Sequence, residues 1–196
     1  MHIQNIFPVS IGHFNDTTFT NKVLPIANSI LDESQISSLG YKNTYNNHRG
    51  QKYLKSFTWI EDYIHQICYE YINKLKIKFK DKIYIDTLFV SKINNTQFHG
   101  RHTHPNSILS GVIYLDTIGV YAPIIFDDPC EVRNFHSLNS KNENNIEGIP
   151  FYPTKGDIIV FESWLPHRVP HNVSKEAKEG SRTTLVFNVS SKNNLK

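Results

Sequence analysis

A mainly β chain is what this sequence predicts, with helical support in its N-terminal part followed by a sandwich or barrel of short strands. Three observations carry that reading. Between residues 56 and 78, apolar side chains recur every three or four positions, the spacing of a helix with one buried stripe. From Lys82 onward the chain breaks into short runs of branched and aromatic residues separated by turn formers. With 196 residues it can bury a sizeable core, and no repeat or low-complexity boundary divides it, so one domain spanning 1–196 is expected.

The elements follow in order. Ile6-Phe7-Pro8-Val9-Ser10-Ile11 reads as an edge strand, because proline cannot donate to a central ladder. Asp32-Glu33-Ser34-Gln35 can start a short helix that Gly40 closes, and Gly40 to Gly50 reads as a polar loop. In the long helix Phe57, Ile60, Ile64, Ile67, Tyr71, Ile72 and Leu75 form the buried face. Glu61, Asp62, Gln66, Glu70 and Lys74 form the wet one. Residues 1–80 are thus expected to be an N-terminal strand with helical support, and 83–190 a β core. Strands are expected at Ile83–Ile93, Ile108–Leu115, Ala122–Phe126, Ile158–Phe161 and Arg182–Val189. Two polar inserts, 131–150 and 171–181, interrupt this core.

Composition excludes several classes. The net charge is +3 and the basic residues are scattered, so no nucleic-acid footprint is indicated. The two cysteines, Cys68 and Cys130, form no C-x-x-C pair, so neither a disulfide framework nor a zinc knuckle is expected. Cys68 falls on the apolar stripe and reads as a core thiol. A reduced, cytoplasmic setting fits. No apolar run is long enough to span a bilayer, and the first residues lack the pattern of a signal peptide.

Chemistry concentrates in His99-Gly100-Arg101-His102-Thr103-His104-Pro105. Residues two apart in an extended chain point the same way, so His102 and His104 can aim two imidazoles at one point. His167, following Pro166 at the end of a strand, is the natural third ligand. Three imidazoles would hold a divalent metal on one face and leave other positions open, as a redox metal requires. Along the last strand Arg182, Thr184, Val186 and Asn188 share one face, opposite Leu185, Phe187 and Val189. That pattern suggests a polar cavity in which Arg182 anchors an anion, since guanidinium grips a carboxylate bidentately. Ser110 and Tyr114 share a face in the same way.

Five motifs in order resemble the 2-oxoglutarate- and Fe(II)-dependent oxygenases. They are His102-Thr103-His104-Pro105; Ser110-Gly111-Val112-Ile113-Tyr114-Leu115; Gly156-Asp157 to Phe161; Ser163 to Val169; and Arg182 to Asn188. The likeness runs from about Ile83 to Val189. It implies a double-stranded β-helix, the jelly-roll core of cupin-like proteins, with the metal in its mouth. It also implies Fe(II), 2-oxoglutarate as co-substrate and dioxygen, and the hydroxylation of a C–H bond. His102 and His167 would match the two family histidines, and Arg182 the basic residue for the distal carboxylate. Tyr114 would assist Arg182, and Thr184 lies beside it. No catalytic residue beyond the metal ligands is implied.

One departure is visible: the wider superfamily has a carboxylate two residues after the first histidine, where this chain has His104. Two other readings are therefore open. One is a three-histidine cupin-like dioxygenase that does not use 2-oxoglutarate. The other is a non-catalytic jelly-roll binding or structural module. The substrate, whether small molecule or side chain, and the oligomeric state are not readable. His99 and His171 read as surface or satisfied core histidines, Asp127 and Asp128 as turn formers before Pro129, and Trp164 as wall packing. Asn106 and Ser110 are polar residues within reach of a bound ligand.

Overall fold

Two antiparallel sheets form the core of the computed structural model, which describes residues 8–32, 41–78, 82–119, 122–130, 147–171 and 180–191. The strands are β1 (Ile11–Asn15), β2 (Lys42–Asn43), β3 (Ile83–Asn94), β4 (His99–His102), β5 (Leu109–Ile118), β6 (Ile124–Asp127), β7 (Gly148–Phe151), β8 (Asp157–Glu162), β9 (His167–Val169) and β10 (Ser181–Ser191). The larger sheet runs β1-β8-β5-β10-β3-β2 and the smaller β4-β9-β6-β7. Consecutive strands tend to fall in different places across the two sheets, the winding of a double-stranded β-helix.

Alternation along the strands divides the burial between two cores. Ile158 and Val160 of β8, with Leu185, Phe187 and Val189 of β10, join the helices in one cluster. Ile159 and Phe161 turn the other way and meet Tyr114, Ile124, Phe126 and Leu165 between the sheets. The larger sheet is therefore buried on both faces, which is why β8 reads as a continuous apolar run.

Three helices cover the outer face: α1 (Thr17–Asp32), α2 (His48–Lys55) and α3 (Thr58–Lys74). The expected long helix is α3, and Ile60, Ile64, Ile67, Cys68, Tyr71 and Ile72 are its buried side chains. Fully burying each such isoleucine contributes about 1.5–3 kcal/mol.

The N-terminal part differs from the sequence reading in three places. Phe19, Val23, Ala27, Ile30 and Leu31 give α1 a buried stripe, and Asp16 caps it by accepting the Phe19 N–H at 2.9 Å. Pro25 lies inside α1 and masks the pattern, because proline removes a helical donor. Asp32 consequently ends a helix; the rest of the expected Asp32–Gly40 helix lies outside the described residues. The edge strand is Ile11–Asn15, four residues after the start of the described stretch, and Pro8 precedes it. Between Gly40 and Gly50 the chain forms β2 and begins α2.

In the core, the end of the 131–150 insert is not loop: Gly148–Phe151 pairs with β6 as β7. Residues 131–146 and 172–179 of the two inserts lie outside the described residues. Among the described residues, no helix is long and apolar enough to cross a membrane.

Candidate metal centre

The smaller sheet brings two of the histidines together by register. His102 ends β4 and His167 begins β9, and the two are direct cross-strand partners. Their rings stand 4.2 Å apart between centroids. His104 arrives from the turn after β4, not from the strand itself, held by its N–H donating to Ser163 O at 2.9 Å. One candidate nitrogen from each of His102, His104 and His167 lies within 4.8 Å of the others.

Hydrogen bonding sets the chemistry of these rings. His102 Nδ1 lies 2.8 Å from Gly100 O, and His167 Nδ1 lies 2.9 Å from Leu165 O. Each Nδ1 must carry the proton to donate to a carbonyl, which leaves Nε2 as a lone pair. His104 Nε2 and His167 Nε2 are 3.3 Å apart. Two nitrogens bound at about 2.1 Å and roughly at a right angle to one ion would stand about 3 Å apart, so the spacing fits a shared ion. Burial favours the uncharged rings throughout. It lowers His102, and with the neighbouring imidazoles pushes His104 down to about 3 and His167 down to about 4. Neutral imidazoles with converging lone pairs are what a divalent transition metal binds, so the residues present fit Fe(II).

Above this cluster the two sheets enclose a cavity that contains His102, His104 and His167 at one side and Arg182 in the wall. Arg182 is the second residue of β10 and is 5% exposed; its Nη1 donates to Ala122 O at 2.8 Å. Tyr114 and Thr184 are buried in the same wall. Phe89, Ile93, Val112 and Val186 supply apolar lining, which keeps water out and strengthens polar contacts inside.

The structure thus collects His102, His104, His167, Arg182, Tyr114 and Thr184 around one cavity. Asn188 does not line it directly. Its Oδ1 accepts from Ser110 Oγ at 2.9 Å, and Ser110 Oγ is 2.8 Å from Ser163 Oγ, a buried trio beneath the loop that holds His104. Asn106 forms a left-handed turn at φ 72° and stays outside the cavity.

Three of the remaining readings change. His99 lines the cavity and stacks on His102, centroids 4.0 Å apart and planes 21° apart, and burial pushes it down to about 3. Trp164 is 49% exposed, so it does not pack as a wall; its backbone lies between Ser163 and Leu165, which hold two of the histidines. Asp127 is no turn former: it ends β6 and pairs with Arg168 at 3.0 Å and Arg101 at 3.3 Å. Asp128 does form the turn, accepting the Cys130 N–H. His171 remains at the surface against Phe98. Tyr41, Phe89 and Ser91 were not readable as cavity residues. Strand parity alone puts Phe89, Ser91 and Ile93 on one face, but nothing in the sequence says which face.

Comparison with known proteins bears on this arrangement. The profile of the family described as "Putative 2OG-Fe(II) oxygenase" matches residues 87–188. A Pseudomonas putida prolyl-4-hydroxylase structure superposes with a TM-score of 0.60 at 11% identity, covering 94% of each chain. HygX from Streptomyces hygroscopicus, solved with nickel and 2-oxoglutarate bound, gives 0.62 at 9% identity over 94% of this chain and 84% of its own. SnoN, a non-heme alpha-ketoglutarate-dependent epimerase from nogalamycin biosynthesis, gives 0.62 at 12% identity over 93% and 78%. At these identities the likenesses establish the jelly-roll fold. No curated protein matches the sequence.

Proposed function

The chain belongs to the 2OG-Fe(II) oxygenase family, and from that premise we propose that His102, His104 and His167 hold its iron while Arg182 receives the distal carboxylate of 2-oxoglutarate. Tyr114 and Thr184 flank Arg182 in this reading. The observation that carries it is the convergence of three imidazole nitrogens, within 4.8 Å of one another, on the cavity whose wall holds the buried Arg182. HygX, with its bound nickel and 2-oxoglutarate, supports the same pairing of metal and co-substrate.

When bound, Fe(II) supplies the reaction of dioxygen with 2-oxoglutarate, giving succinate, carbon dioxide and an oxidised C–H bond of the substrate. The chain's own part is binding, orientation and exclusion of water. Gly100 and Leu165 carbonyls fix the tautomers of His102 and His167, so that Nε2 faces inward. His104 contributes a neutral donor where a carboxylate is usual, which leaves the ion's double charge intact. A dianionic co-substrate balances that charge, and Arg182 takes the end that the metal does not. The apolar side chains of Phe89, Ile93, Val112 and Val186 exclude water between the two. The substrate itself is a small molecule or a protein side chain.

The test measures iron stoichiometry and succinate release in the wild type and four variants. His102→Ala and His167→Ala should lose stoichiometric iron while staying folded. His104→Asp should keep iron, and His104→Ala should bind it more weakly. Succinate should appear only with iron, 2-oxoglutarate and dioxygen together. Wild-type iron affinity in both His102→Ala and His167→Ala overturns the ligand set. Oxygen consumption without succinate would instead fit the three-histidine dioxygenase that dispenses with 2-oxoglutarate.

A further inference from the structure

Two buried side-chain atoms among the described residues have no hydrogen-bond partner: His65 Nε2 and Ser91 Oγ. His65 lies on α3 and does not line the cavity. Ser91 does line it, is 4% exposed, and sits in the middle of β3. A buried hydroxyl without a partner is unfavourable, and alanine at this position, among Phe89, Val90 and Ile93, would avoid the penalty. Such an orphan calls for a physical explanation.

Register supplies one. Ser91 pairs with Thr184 and Ile93 pairs with Arg182, so Ser91 is the diagonal neighbour of Arg182 on the same face of adjacent strands. Thr184 does not satisfy the serine hydroxyl, because Thr184 Oγ1 is directed at Ser91's backbone carbonyl, 3.4 Å away. A carboxylate offers about four acceptor positions over two oxygens, and a guanidinium fork occupies only those in its own plane. The others need a second donor from a different direction.

We propose that Ser91 Oγ is that donor, a co-substrate-binding and specificity-determining residue that hydrogen-bonds the distal carboxylate of 2-oxoglutarate. This rests on the reading of Arg182 given above. A 2-oxo acid with no distal carboxylate leaves Ser91 and Arg182 both without an anion. The site then discriminates through buried groups left unpaired, which is stronger than discrimination by shape.

The experiment uses the full chain loaded with nickel, which binds without turnover, and the substitution Ser91→Ala. Calorimetry gives the dissociation constant for 2-oxoglutarate, and competition gives that for 2-oxovalerate, a monocarboxylate of similar length. The metal-free protein is melted in parallel. Ser91→Ala should weaken 2-oxoglutarate binding about ten- to a hundredfold and shrink its preference over 2-oxovalerate by the same factor. Nickel stoichiometry should hold, and the melting temperature without ligands should stay or rise, since an orphaned group has been removed. Unchanged 2-oxoglutarate affinity overturns the assignment of Ser91 alone. A lower melting temperature with both ligands weakened equally makes Ser91 structural and also overturns it. Absence of 2-oxoglutarate binding in the loaded wild type overturns the reading of Arg182, and this inference with it.

Discussion

Arg182→Leu separates a structural arginine from one that receives the co-substrate. Arg182 is 5% exposed, and its Nη1 donates to Ala122 O at 2.8 Å, so the substitution has two effects. The first is on the folded protein without ligands. Ala122 is 6% exposed, and a buried carbonyl deprived of this donor costs about 1–3 kcal/mol. Leucine offsets part of this, since Ile93 and Val186 line the same cavity and an apolar side chain can pack beside them. The second effect is on binding. A hydrogen bond to a charged group contributes about 1.5–3 kcal/mol, so 2-oxoglutarate should bind roughly ten- to a hundredfold more weakly. Arg182→Lys keeps the charge and loses the fork, and should fall between leucine and wild type. Calorimetry on nickel-loaded protein reads the binding, and urea denaturation of the metal-free protein reads the stability. If Arg182→Leu loses stability but binds 2-oxoglutarate as wild type does, the arginine serves the fold alone and the argument for the anchor fails.

Two further outcomes test the scaffold. Gly111→Ala would place a methyl 2.0 Å from Phe187 Cζ, its direct cross-strand partner in the core, and should destabilise the fold by about 3 kcal/mol or more. Urea denaturation checks this, and adding Phe187→Leu should restore part of the loss; a neutral Gly111→Ala would mean that the ring is free to move aside. Asp16 is held below the usual carboxylate range first by the Phe19 N–H that it caps, and also by the Tyr63 hydroxyl, against the opposing effect of burial. Its folded-state pKa is therefore the lower one, so its contribution is present above the ordinary carboxylate range and is lost as pH falls through the folded value. Asp16→Asn should flatten that acid dependence and Asp16→Ala should cost about 1 kcal/mol at neutral pH, both read by thermal melts across pH.

The legible parts of this molecule are those where one physical signal dominates. The α3 stripe stands out because isoleucines at helical spacing have no competing reading. The alternation of Arg182 and Thr184 against Leu185 and Phe187 separates cavity from core on β10, because period two admits only two faces. The helix α1 was hidden by Pro25, whose local penalty is outweighed by the burial of Phe19, Val23, Ala27, Ile30 and Leu31. β7 was hidden in a polar run because it is an edge strand whose two central residues are exposed, so burial left no pattern in it. Within the site, His99 was legible as a residue but not as a cavity wall. Its stacking on His102 depends on the irregular pairing of β4 with β9, between His99 and His102. Ser91 was silent for a different reason: an unpaired hydroxyl is a property of its surroundings, which no local sequence window contains.

The central claim is that three neutral imidazoles and a buried arginine hold iron and 2-oxoglutarate in one cavity. Anaerobic titration of the iron-loaded protein with 2-oxoglutarate tests it most directly, since chelation of Fe(II) by the 2-oxo acid produces a visible metal-to-ligand charge-transfer band. The account predicts that the band saturates at one 2-oxoglutarate per iron in wild type and is absent in His102→Ala and His167→Ala. Stoichiometric iron in the wild type with no band, or an undiminished band in those two variants, would contradict it.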